Sequence, residues 1–194
     1  MSEYSDKKSP REIAVTARQL CKGDFLVRLQ EIAALKPFAI LLREKDLDFD
    51  KYLALSREAA RICGARGVQL ITHTHPVPGI RNLHVPFGLA SAPLAREYAL
   101  SISVHCVEEA RQAEALGAEF LIAGHIFATG CKPGLPPRGL DFLQEVCDAV
   151  RIPVFAIGGI TADNMGACLA AGAAGVCRMS YWMESDLDKP QTVL

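Results

Sequence analysis

The chain has 194 residues, 50% of them hydrophobic and 22% charged, and its 21 Lys and Arg nearly balance 22 Asp and Glu for a formal net charge of −1. Such a composition can bury one sizeable core, and its charges form no basic stripe, which excludes nucleic acid or an anionic membrane as the expected partner and leaves a small ligand. The seven cysteines are odd in number, scattered and without a C-x-x-C pair, which argues against a disulfide framework or structural zinc and for reduced thiols.

Residues 1–10 are polar, contain no apolar segment of the signal-peptide kind, and are expected to form a flexible N-terminus. No apolar run reaches the roughly 20 residues of a membrane span, so a cytoplasmic protein is expected. Short apolar segments then follow in order: Glu12–Thr16, Phe38–Leu42, Val68–Thr72, Asn82–Val85, Leu100–Val104, Phe120–Ala123, Val154–Ile157 and Gly175–Met179. Most lack period-2 alternation, as strands of a parallel sheet covered on both faces do. Between them Asp50–Cys63, Val107–Leu116 and Leu140–Val150 read as helices, and Ala115-Leu116-Gly117-Ala118-Glu119 reads as a helix stop followed by a strand start. The same device recurs at Ala170–Ala174 and more loosely at Cys63–Gly67.

Eight strands alternating with helices predict an α/β fold, a single-domain (β/α)₈ TIM barrel over residues 11–183, with a doubly wound open sheet as the alternative. Residues 184–194 read as a C-terminal tail, so the closing helix is short and a homodimer that covers the last strand is a reasonable partner arrangement. In such a barrel the chemistry sits at the C-terminal ends of the strands.

Those ends carry the candidate residues. His125 follows the apolar run Phe120–Ala123 and can exchange a proton near neutral pH; packing is the alternative role. The glycine-punctuated loop after it holds Thr129, Cys131 and Lys132, with Lys132 a candidate cation for a carboxylate or phosphate. Gly158 and Gly159, followed by a helix start at Thr161, and Met179 with Ser180 after the last strand, point to a phosphate site between the last two strands. Arg178 either assists there or points away. Arg43 and Lys45 share a face at the end of the second strand and suit an anionic substrate. His73 and His75, spaced i and i+2, would share a strand face, but no third metal ligand is apparent, so no metal is expected.

Together Leu42–Asp46, Ser103–Ala110, Thr129 with Lys132 and Ala156–Thr161 resemble the thiamine phosphate synthase and thiazole tautomerase superfamily, a group of (β/α)₈ barrels, from about Ile13 to Ser180. The resemblance implies two branches. The synthase branch holds magnesium and pyrophosphate with an Asn-Asp pair after the third strand and a Gln-Glu-Asp segment after the fourth, where this chain reads Thr72-His73 and Pro86-Phe87-Gly88. Gly124–Phe127 with Cys131, Lys132, Arg138 and Gly139 is similar to the tautomerase branch.

The resemblance therefore implies a metal- and cofactor-independent isomerase that aromatises a phosphorylated thiazole carboxylate, with His125 moving the proton and synthase activity not expected. It also implies phosphate binding at Gly158, Gly159, Met179 and Ser180, a carboxylate contact among Arg43, Lys45, Ser103 and Lys132, and ring contacts from Ser103 and Thr129. Thiamine phosphate synthase and a non-catalytic binder of a phosphorylated thiazole are the alternatives.

Overall fold

Eight short apolar runs form eight parallel strands that close on themselves in chain order, with the last pairing to the first through Ala14 opposite Arg178. The computed structural model describes residues 11–130 and 134–187. The strands are β1 (Arg11–Val15), β2 (Ala39–Leu42), β3 (Gln69–His73), β4 (Asn82–Pro86), β5 (Ala99–Val104), β6 (Phe120–Gly124), β7 (Val154–Ile157) and β8 (Gly175–Arg178). The helices are α1 (Phe25–Ala34), α2 (Phe49–Arg66), α3 (Ala92–Glu97), α4 (Val107–Ala115), α5 (Gly139–Ala149), α6 (Ala162–Ala170) and α7 (Ser180–Glu184). The fold is thus the predicted single-domain (β/α)₈ barrel.

Strand alternation sorts the apolar residues into two layers. Ile13, Val15, Leu41, Ile71, Ile122, Phe155 and Cys177 point inward and pack together inside the barrel. Their neighbours point outward: Ala14, Ile40, Leu42 and Leu70 form one cluster with residues of α1 and α2, and Leu100, Ile102, Leu121, Val154 and Val176 form another with residues of α4, α5 and α6. Both faces of each strand are buried, and for this reason the sequence shows runs rather than alternation.

The predicted helices are found with small changes of length. Helix α2 continues through Gly64 and ends at Gly67, which has a left-handed conformation (φ 68°). Helix α1 lies outside the predicted set; its Asp24 accepts a hydrogen bond from the Val27 amide at 2.9 Å, and Phe25, Leu29, Ile32 and Ala33 make its buried face. The closing helix α7 has five residues and buries Trp182 and Met183. Residues 1–10 and 188–194, most of the expected termini, lie outside the described residues. Among the described residues, no helix is long and apolar enough to cross a membrane.

Candidate active site

Inward alternation places polar side chains above the apolar interior on β3, β4 and β5, and the strand ends surround a cavity of about 330 Å³. Arg43 and Lys45 follow β2 and line this cavity, as their shared face predicts. Glu44, between them, points the other way and is 4% exposed. Its carboxylate accepts from the Thr16 hydroxyl at 2.6 Å and from the Arg18 amide at 2.9 and 3.0 Å. Burial raises the Glu44 pKa, against the lowering effect of those hydrogen bonds. Thr16 in turn accepts from the Arg43 amide at 3.0 Å, so Glu44 helps to fix the turn that carries both cations.

Tyr52 of α2 joins the ends of β2 and β3: its hydroxyl donates to the Leu42 carbonyl at 2.8 Å and accepts the His73 amide at 2.7 Å. His73 then faces the cavity. His75 does not share its face, because Thr74 adopts a left-handed backbone (φ 68°) and breaks the alternation, and the His75 ring packs 5.6 Å from those of Phe49 and Tyr52. The paired-histidine arrangement that the spacing suggests is therefore absent.

His84, which did not stand out in the sequence, lies on the inner face of β4 at 3% exposure. Its Nδ1 is 2.9 Å from the Ser101 hydroxyl and its Nε2 is 2.7 Å from the Ser103 hydroxyl. The available signal was its place between Leu83 and Val85, which alternation turns inward once those two are outward. Burial pushes its pKa down to about 3, with His73 and Arg43 adding to the effect. Burial likewise pushes His73 down to about 4, assisted by the charges of Arg43 and Lys45, so both imidazoles are neutral at pH 7. His105, after β5, also lines the cavity, with Nδ1 3.4 Å from the Glu109 carboxylate, which accepts the His105 amide at 2.6 Å.

His125 is 6% exposed and lines the cavity; its Nε2 is 3.4 Å from the Leu135 carbonyl, and its buried Nδ1 has no hydrogen-bond partner among the described residues. The backbone after it lies directly on the turn after β7: the Ile126 amide donates to the Ile157 carbonyl at 2.9 Å and the Phe127 amide to that of Gly158 at 3.0 Å. Gly158 and Gly159 (φ 102° and 64°) make this approach possible, since a Cβ at Gly158 would sit 2.4 Å from the His125 Cβ and one at Gly159 2.3 Å from the Ala128 carbonyl oxygen. The glycine pair therefore has a packing reason of its own, besides leaving backbone open to a ligand.

Thr129, Gly158, Gly159, Met179 and Ser180 all border the same cavity as Arg43, Lys45, Ser103 and His125. Lys132 and Cys131 lie outside the described residues. Arg178 borders the cavity, but its guanidinium is already engaged. Its guanidinium pairs with the Glu12 carboxylate at 2.6 and 2.8 Å and lies 3.7 Å over the Tyr181 ring.

Among the described residues no Asp or Glu lines the cavity, whereas Arg43, Lys45 and Arg178 do, so its potential favours anions. Magnesium demands an octahedron of oxygen ligands, normally with one or two carboxylates, and these residues do not fit it. Among the described residues no three His, Cys, Asp or Glu side chains converge as a metal site.

The sequence model of the family described as thiamine monophosphate synthase matches residues 12–181. Thiamine-phosphate synthase of Moorella thermoacetica is similar at 38% identity over 152 residues, 73% of this chain and 72% of that protein. Thiamine-phosphate synthase 2 of Streptococcus pneumoniae is similar at 30% identity over 171 residues, 84% of this chain and 81% of that one. Among solved structures, thiamine phosphate pyrophosphorylase from Pyrococcus furiosus superposes with a TM-score of 0.79 at 22% identity, covering 91% of this chain and 88% of that one.

These names correct the tautomerase expectation, and with it the isomerase class: the relatives are synthases, hence transferases. The physical reason lies in what the motifs specify. A histidine after β6 and a mouth without carboxylates fix a neutral-to-cationic anion pocket, and such a pocket serves a diphosphate leaving group as well as a carboxylate.

Proposed function

The chain belongs to the thiamine monophosphate synthase family, and we propose that it is a transferase that makes thiamine phosphate by joining an aminopyrimidine to a phosphorylated thiazole with release of pyrophosphate. Thiamine phosphate is a pyrimidine linked through one methylene carbon to a thiazole nitrogen. The bond formed is therefore C–N, from the lone pair of the thiazole nitrogen to the methylene. The bond broken is C–O, whose electron pair leaves with the diphosphate.

The observation that carries this reading is the pairing of two anion-suited places on one rim: the Arg43 and Lys45 side chains after β2, and the open backbone at Gly158, Gly159, Met179 and Ser180 after β7 and β8. The second place would hold the thiazole phosphate on amide groups. The first would hold the diphosphate, whose charge rises as the C–O bond breaks, so that the cations act most strongly on the departing group. Between them Ser103, Thr129 and His125 contact the rings, and Ile122, Ile157 and Cys177 give the cavity an apolar floor that keeps water from the activated carbon. His125 is a substrate contact in this scheme, its buried Nδ1, which has no partner among the described residues, being satisfied by a ligand atom.

Incubation with phosphorylated thiazole and the (aminopyrimidinyl)methyl diphosphate, with and without magnesium, tests the proposal. Equal yields of thiamine phosphate and pyrophosphate support it; no product under either condition overturns it.

A further inference from the structure

We infer that the mouth of this barrel takes a diphosphate directly on Arg43 and Lys45, without a divalent cation. The inference rests on the transferase reading for its substrate, and on the following geometry for its metal independence.

A magnesium-assisted site needs carboxylates free to turn toward the ion; among the described residues none lines the cavity, and four acids nearby are held elsewhere. Glu44 is locked by the Thr16 hydroxyl and the Arg18 amide on the outer side of β2. Asp46 pairs with Arg18, Glu12 with Arg178, and Glu109 with the His105 backbone and ring. Turning Glu44 would break the contacts through Thr16 that fix the turn carrying Arg43.

The nitrogen ligands are engaged as well. His84 has a serine hydroxyl on each ring nitrogen, and His73 Nδ1 lies 2.8 Å from the Thr74 hydroxyl. Neither has two nitrogens to offer, and imidazole suits transition metals rather than magnesium.

What the rim supplies instead is two fixed positive charges, equal in sum to one divalent ion, at the end of one strand and pointing into the cavity. The Arg43 guanidinium makes no hydrogen bond to a described side chain, and its planar fork matches two phosphate oxygens. Neutral His73 beside it adds polarity without competing positive charge. A diphosphate meets there the charge that a magnesium ion would bring, already positioned.

Calorimetric titration of the whole protein with inorganic pyrophosphate, in chelator and then in excess magnesium, tests this, with manganese binding followed in parallel by electron paramagnetic resonance. The expected result is binding in chelator that magnesium leaves equal or weakens, no bound manganese, and about a tenfold or greater loss of affinity in Arg43→Met and, separately, in the exposed Lys45→Met. Affinity that rises tenfold or more with magnesium, one equivalent of bound manganese, or no pyrophosphate binding in chelator would overturn the inference. Pyrophosphate bound in chelator by a protein that forms no thiamine phosphate would leave this inference standing and defeat only the proposed reaction.

Discussion

His84 Nε2 lies 2.7 Å from the Ser103 hydroxyl, so a buried imidazole inside the barrel holds a side chain that borders the cavity. Its uncharged state is part of that arrangement, since a protonated ring at this depth would face the Arg43 charge without a carboxylate to offset it.

Acid sensitivity follows from the same burial. Folded His84 and His73, with pKa values near 3 and 4, bind fewer protons than the unfolded chain, where the value is about 6.5. Stability is complete above pH 6.5 and declines as pH falls toward the folded values. His84 alone should remove about 2 kcal/mol between pH 6.5 and 5. Urea unfolding at pH 7 and pH 5 measures this; equal midpoints at the two pH values would contradict it, and His84→Phe should flatten the dependence.

Gly158→Ala should damage stability and activity together. The added Cβ would meet the His125 Cβ at 2.4 Å and Cα at 2.8 Å, on a backbone with φ 102°. A cost of about 1–3 kcal/mol is expected from the strained backbone alone, with displacement of His125 lowering kcat/KM. Denaturant midpoints and steady-state kinetics on the same preparation check both; an alanine variant as stable and active as the parent would show that the turn is looser than described.

The Glu12–Arg178 pair should behave as a buried ion pair. Side-chain exposures of 14% and 3% leave either partner uncompensated when the other is removed. Arg178→Met alone is expected to cost about 3–5 kcal/mol, while Glu12→Leu with Arg178→Met recovers most of it. A double-mutant cycle by chemical denaturation measures the coupling, and additive losses would argue against it.

Tyr52→Phe removes the hydroxyl that accepts the His73 amide and donates to the Leu42 carbonyl. About 1–3 kcal/mol should be lost, because two backbone groups lose a partner. Since those groups end β2 and β3, KM for the diphosphate substrate should rise as well. An unchanged KM would mean that the position of Arg43 does not depend on this link.

Strand runs such as Phe120–Ala123 and Val154–Ile157 were legible in the sequence because two buried faces leave no polar positions to obscure them. The rim was legible too: Arg43, Lys45, Ser103, His125, Thr129, Gly158, Gly159, Met179 and Ser180 follow from placing function at strand ends, and all border one cavity. His84 was not, since a histidine inside a short strand carries no sign of which face it takes until its neighbours are placed. Thr74 was missed for a related reason: its left-handed backbone, unusual for a threonine, reverses the expected direction of His75. The reaction was misread because a histidine after β6 records the shape of the pocket and not the bond that is made in it.

Thiamine phosphate formation by the wild type beside Arg43→Met is the most direct test of the account. The wild type should yield thiamine phosphate and pyrophosphate one for one, and Arg43→Met should lose about 100-fold in kcat/KM for the diphosphate while binding phosphorylated thiazole almost as before. A wild type that forms no thiamine phosphate, or an Arg43→Met variant as fast as the parent, would contradict the assignment of this rim to the departing diphosphate.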